Sequence, residues 1–180
     1  IIPLSVSFDH VGPMCRSVAD AALLLQALAG YDPLDIASIS VPVPDYSSGL
    51  QRRTSALRIG VPRTFFYEDV DPEILDAVEV ALGVLSVLTS SVQEVNLPAR
   101  PQARPVSVEA YEYHADHLED SRERFAPSTL ERIEQGAEMS AIDYAEVLYE
   151  IELGRKAIAT IFKTVDVLVT PTLVQLPVSI

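Results

Sequence analysis

Between residues 57 and 97 an apolar run, a capped helix and a second apolar run follow one another, and no other part of the chain restricts the fold as much. Leu57-Arg58-Ile59-Gly60-Val61 reads as a short strand. Asp71-Pro72 then supplies an N-cap and a first helical residue, and Ile74, Leu75, Val78, Ala81, Leu82 and Leu85 keep the helical period. Val92 to Leu97 reads as a second strand, closed by Pro98. Strand, helix and strand at this spacing make a βαβ unit, which places the two strands parallel in one sheet with a crossover that is nearly always right-handed. The expected class is therefore α/β. Val165 to Val169 is a further strand, nearly all apolar and so of the type buried on both faces, and Thr170-Pro171-Thr172 closes it.

The rest of the pattern is helical. Ser17-Val18-Ala19-Asp20 is a capping box, and Val18, Ala21, Ala22, Leu25, Leu28 and Ala29 follow it at helical spacing, so this helix should pack one face and stop at Gly30 in a left-handed turn. A surface connection is expected through Asp32-Pro33 and residues 41–49. From Val108 to Phe125 the residues Val108, Tyr111, Ala115, Leu118 and Phe125 share a face opposite Glu109, Glu112, Asp116, Glu119 and Glu123. A short helix from Pro127 to Gln135 should end at Gly136. Ser140-Ala141-Ile142-Asp143 is a second capping box, opening a helix that runs to about Lys163 and is weakened at Gly154.

Of the 180 residues, 48% are hydrophobic and 22% charged, enough apolar surface for a core and too much for a disordered chain. The net charge of -13 and the lack of a basic cluster exclude nucleic acid and anionic membrane as direct partners. Cys15 is the sole cysteine, so no internal disulfide forms, which fits a cytoplasmic setting. The longest apolar run, Ala21 to Leu25, is far too short to span a bilayer. An abrupt Ile1-Ile2-Pro3 beginning and an unfinished Leu176 to Ile180 end are those expected of a piece of a longer polypeptide.

Self-contained chemistry is scarce. Ser47-Ser48 lies in the Pro-rich connection and Ser90-Ser91 in a turn before a strand, while Lys156 and Lys163 occupy helix positions that favour solvated lysine. His114 and His117, near Glu112, Asp116 and Asp120, lack the spacing of a zinc-protease helix, and no metal is predicted. No phosphate loop or dinucleotide fingerprint occurs around Gly60 or Gly83, so no cofactor is predicted either.

One run stands apart. Ser7-Phe8-Asp9-His10-Val11-Gly12-Pro13-Met14-Cys15-Arg16-Ser17-Val18-Ala19-Asp20-Ala21 resembles the amidase signature family, whose Ser-x-Asp-x-x-Gly-Pro-Met-x-Arg-Ser-Val-x-Asp-Ala run it matches at every fixed position, with Cys15 where Ala is usual. Further matches follow in order: Ala29 to Asp35, Arg58 to Val61, Glu109 to His114, Ser140 to Tyr144, and Asp166 to Thr172. The resemblance implies an α/β/α fold around a large mixed sheet, with residues 1–180 forming the C-terminal part of a single domain. It also implies amide hydrolysis by a serine, a cis-serine and a lysine.

In that family all three reactive residues precede the run beginning at Ser7, so no catalytic residue is assigned to this chain, which alone should be inactive. The run itself should lie close behind the active site, with Asp9, Gly12, Pro13 and Arg16 as its supporting or pocket residues. A purely structural account of the same residues has Asp9 capping local amides, Gly12-Pro13 forming a turn and Arg16 pairing with a carboxylate. The position of His10 varies in the family.

The implied parent is an amidase, whose partners are a small-molecule amide and the remainder of its own chain. The glutamine-hydrolysing component of a tRNA-dependent amidotransferase is an alternative, disfavoured because those proteins carry an Arg-Tyr-Asp-Gly-rich stretch where this chain has Glu109 to Asp116. A non-catalytic module with the same fold is another. Open strand edges, that of Val165 to Val169 included, predict self-association.

Overall fold

β1 (Arg58–Val61) lies at the middle of a three-stranded sheet, between β2 (Ser91–Glu94) and β3 (Val167–Leu168). The structure, a computed structural model, describes residues 4–99 and 105–177. Both pairings are parallel, Ile59 opposite Val92 on one side and opposite Val167 on the other. Among the described residues every strand pair is thus parallel, and the mixed character implied by the resemblance is not seen in this part of the sheet. The α/β class holds.

The chain divides into two compact units, one of residues 53–100 with 150–180, the other of residues 1–52 with 101–149. In the first, the crossover helix α4 (Pro72–Leu88) is capped by Asp71, whose side chain accepts from the Glu73 amide, with Pro72 at the first position. Leu82 of α4 meets Ile59 and Val61 of β1 in a core, against which Tyr67, Val78, Leu85, Val92 and Val169 pack. Between β1 and α4 runs an irregular turn, α3 (Arg63–Phe66). Here the Arg63 guanidinium stacks 4.8 Å from the Tyr67 ring centroid and pairs with Glu79 and Glu94. Tyr67 Oη donates to Val169 O at 2.9 Å, tying the turn to the end of β3.

β2 is shorter than the expected 92–97, although Val95 N still donates to Val61 O. β3 differs more. It is an edge strand of two residues with Val167 41% exposed, and only Val165, just before it, is fully enclosed. Burial on both faces needs a packed layer on each side of the strand, and Val167 lacks that cover among the described residues. The entry to β3 is instead fixed by polar contacts: Arg58 Nη2 and Nε donate to the Asp166 carboxylate at 2.8 and 3.1 Å, and the Arg58 amide donates to it at 2.8 Å.

In the other unit α1 (Val18–Leu28) begins where Ser17 Oγ accepts from Asp20 N and stops at Ala29. Gly30 follows with φ +152, a conformation open to glycine but not the left-handed helical turn expected. The expected face is the more covered one, with Ala22 buried and Ala21, Leu25 and Ala29 half-buried, but Val18 and Leu28 at its two ends are exposed. The 41–49 connection contains a short helix, α2 (Tyr46–Gly49), capped by Asp45 and packed on α1.

α5 (Pro105–Ser121) and α6 (Pro127–Glu134) enclose a cluster of Ala110, Leu118 and Ile133, joined by Tyr111, Phe125 and Leu130. The inward face of α5 is therefore rotated from the expected one. Ala115 is exposed, and His114 turns half inward, its ring edge-on to Phe125 at 5.6 Å. α6 ends at its C-cap Gln135, so Gly136 follows the helix as expected, but the chain does not simply turn away there. Gly136 lies within a 3-10 turn (Gln135–Glu138) whose backbone comes so close to α5 that a Cβ would lie 2.0 Å from Ser107 O. α7 (Ala141–Ile161) opens with Ser140 Oγ accepting from Asp143 N and runs unbroken through Gly154. No helix among the described residues is long and apolar enough to cross a membrane.

Candidate functional site

Residues 4–9, which include the first three residues of the signature run, fold back on themselves. Asp9 N and Phe8 N both donate to Ser5 O, and in return the Asp9 carboxylate accepts from Leu4 N at 2.7 Å. Asp9 thus closes a local turn by satisfying a backbone donor, as a short carboxylate at such a position does.

The turn is held from outside by one carboxylate on α5. Ser5 is 1% exposed, and its Oγ donates to Glu109 Oε2 at 2.6 Å. Ser7 N donates to the same oxygen at 2.9 Å. Glu109 Oε1 accepts from Tyr144 Oη of α7, also at 2.9 Å. Segments separated by 104 and 35 residues therefore meet at a single side chain. Partial burial alone would raise the Glu109 pKa, but the bonds from Ser5, Ser7 and Tyr144 outweigh it and hold the carboxyl below its ordinary value. The Tyr144 hydroxyl is pushed the other way, by burial first and then by its bond to the anion. Glu109 is thereby a charged acceptor with both oxygens in use.

Beyond Asp9 the run leaves this anchor. Residues 9–15 adopt no regular structure or turn, so Gly12-Pro13 does not form the turn considered for it, and a Cβ on Gly12 would meet nothing within 4 Å. Met14 is 98% exposed, Cys15 is exposed and unpaired, and exposed Arg16 joins no salt bridge among the described residues. Of the four residues expected to support a site, Asp9 alone is bonded into the turn; Gly12 and Arg16 are exposed and Pro13 is half-buried.

The Amidase family matches the sequence over residues 1–180. This chain belongs to the amidase family. An amidase of Pseudomonas putida is 39% identical over 175 residues, covering 94% of this chain and 38% of that protein. The A component of the glutamyl-tRNA(Gln) amidotransferase of a Roseiflexus strain is 34% identical over 200 residues, covering 96% and 41%. The chain thus spans about two-fifths of the length of these relatives. Among solved structures, one described as a crystal structure of amidase superposes with TM-score 0.70 at 28% identity, covering 92% of this chain and 36% of that one. A bacterial aryl acylamidase of the amidase signature family superposes with TM-score 0.75 at 24% identity, over 93% and 37%, and speaks for the fold.

Glu109 and Tyr144 are the residues of this anchor that the sequence reading does not single out. On α5 Glu109 belongs to the stripe of Glu112, Asp116 and Glu123, yet it is half-buried. The available signal was different in kind, since Glu109 and Tyr144 both fall in segments that match the amidase pattern. His114 and His117 stack edge-on at 6.2 Å, and among the described residues no group of three His, Cys, Asp or Glu is placed to hold a metal ion.

Proposed function

We propose that this chain is the C-terminal part of a single amidase domain whose parent polypeptide hydrolyses the C–N bond of carboxylic amides through a serine, a cis-serine and a lysine. One observation carries the reading: the signature run from Ser7 to Asp20 is intact within a family match over residues 1–180. In this mechanism a buried neutral lysine takes a proton by way of the middle serine, the nucleophilic serine attacks the carbonyl, and backbone amides hold the oxyanion. The reading assigns those three residues to the preceding part of the parent. This chain contributes the wall behind them, with Asp9 shaping the turn at the head of the run and Gly12, Pro13 and Arg16 facing the site.

The remainder of the parent chain is then the partner of the exposed α1 surface, and a small amide is the substrate. A cytoplasmic location fits the unpaired Cys15. Ammonia release from benzamide and 4-nitroaniline release from 4-nitroacetanilide by the intact polypeptide test the activity, with the 180-residue chain expected to be inactive. Turnover by the purified 180-residue chain would overturn the placement of the catalytic residues. The likeness to the Roseiflexus protein supports a second reading, a glutaminase that passes ammonia to a partner. Glutamine hydrolysis by the intact polypeptide in preference to both simple amides would favour it, and hydrolysis of none of the three would favour a non-catalytic module.

A further inference from the structure

We propose that Glu109 is a positioning residue of the amidase site, holding the head of the signature run in place through its bonds to Ser5, Ser7 and Tyr144. The inference rests on the amidase reading above. Three donors converge on this one carboxylate, and two of them, Ser5 Oγ and Ser7 N, come from the segment that enters the run. The third, Tyr144 Oη, comes from the first turn of α7 and occupies the remaining oxygen. Ser5 sits at 1% exposure, so water does not replace Glu109 as its acceptor without the segment lifting away.

Removing the acceptor leaves the buried Ser5 hydroxyl unsatisfied and releases the exposed Ser7 amide to water, and the least costly response is movement of residues 5–9. Asp9 then moves with them, because its carboxylate and amide are bonded to Leu4 and Ser5. An error of about 1 Å at a catalytic wall lowers turnover by up to roughly 100-fold even when the substituted residue never touches substrate. Charge is not the essential property here. A glutamine presents one oxygen to Ser5 and Ser7 and an NH2 group to Tyr144, whose hydroxyl also accepts, so Glu109→Gln preserves the connections that Glu109→Ala destroys.

The test uses the intact polypeptide with benzamide and 4-nitroacetanilide as probes, and circular dichroism to establish that each variant is folded at the assay temperature. Glu109→Ala is expected to lower kcat on the order of 10- to 100-fold with KM changed less than about 3-fold, and Glu109→Gln to restore kcat to within about 5-fold of the parent. Ser5→Ala and Tyr144→Phe, each removing one bond, should fall between. If wild type hydrolyses neither probe, the amidase reading fails. If wild type is active and folded Glu109→Ala keeps its kcat, the positioning role is overturned while the amidase reading stands. Should Glu109→Ala not fold, full kcat in both single-bond variants overturns the proposal, as does loss of fold in all of them.

Discussion

Three glycines in this chain predict opposite responses to one methyl group, and Gly136 is the decisive one. A Cβ built there lies 2.0 Å from Ser107 O, 2.5 Å from Ser107 C and 2.9 Å from Tyr111 Cβ. The first two are backbone atoms of α5, so no rotamer change relieves them. Ordinary contact begins at 3.4 Å, so α5 and the 3-10 turn must part by roughly 1.4 Å for Gly136→Ala to be accommodated. A gap of about 1 Å already forfeits up to half of the dispersion well of each atom pair it opens. The pairs at risk are those of the Ala110, Leu118 and Ile133 cluster.

Overpacking costs about 1–3 kcal/mol where side chains yield, and a backbone clash belongs at the upper end, near 3 kcal/mol. With a urea dependence of about 2 kcal/mol/M the unfolding midpoint should fall by roughly 1.5 M. Gly154→Ala and Gly83→Ala are the controls. Both positions lie inside helices, and neither Cβ meets anything within 4 Å. Each should gain about 0.8 kcal/mol from helix propensity. The measurement is urea unfolding followed by far-ultraviolet circular dichroism on the three variants. A midpoint for Gly136→Ala within about 0.3 M of the parent would refute the close approach of α5 to the 3-10 turn.

Asp166 is held at a pKa of about 2 by the side-chain and backbone bonds from Arg58, against an ordinary value of 3.8. Because the folded value is depressed, its contribution is complete above the unfolded pKa and is lost as pH falls from near 3.8 through 2. Urea midpoints between pH 6 and 2 should therefore show Asp166→Asn below wild type at pH 6 and the difference shrinking towards zero as pH 2 is approached; a constant difference would contradict this. Tyr67→Phe removes the bond to Val169 O and should cost about 1 kcal/mol in the same denaturation assay, with no loss meaning that water serves the carbonyl equally well. Ser140→Ala should cost about 1 kcal/mol by freeing the Asp143 amide at the start of α7, and Ser140→Asp should recover most of it.

What could be read from the sequence follows the range over which each cause acts. Caps are decided within three residues, so Ser17, Asp71 and Ser140 all stand where their helices begin. The β1, α4 and β2 unit is a local pattern too, and its parallel pairing follows from the crossover alone. Failures begin where the cause is distant. The apolar stripe of α1 correctly marks a helix, but periodicity does not say whether a covering surface is at hand, and Val18 and Leu28 are bare. Gly136 carries a turn signal, and its actual reason lies on a helix about thirty residues earlier. Glu109 reads as one more solvated acid because its partner Ser5 comes from the other end of the sequence. The turn from Leu4 to Asp9 needed Asp9 to accept from Leu4, a bond that no helical or strand period encodes.

The placement of β1 at the centre of its sheet has a consequence in time. Its first neighbour, β2, follows 33 residues later, but Val167 lies 108 residues after its register partner Ile59. At a synthesis rate of about 5–20 residues per second, β1 waits roughly 5–20 s with one edge unpaired before β3 leaves the ribosome. During that interval α5, α6 and α7 emerge, and each has local contacts to settle into first. Pairing of β3 with β1 thus comes after those helices have emerged, and an exposed Ile59-Gly60-Val61 edge is the stretch a growing chain of this kind has most need to keep from its neighbours.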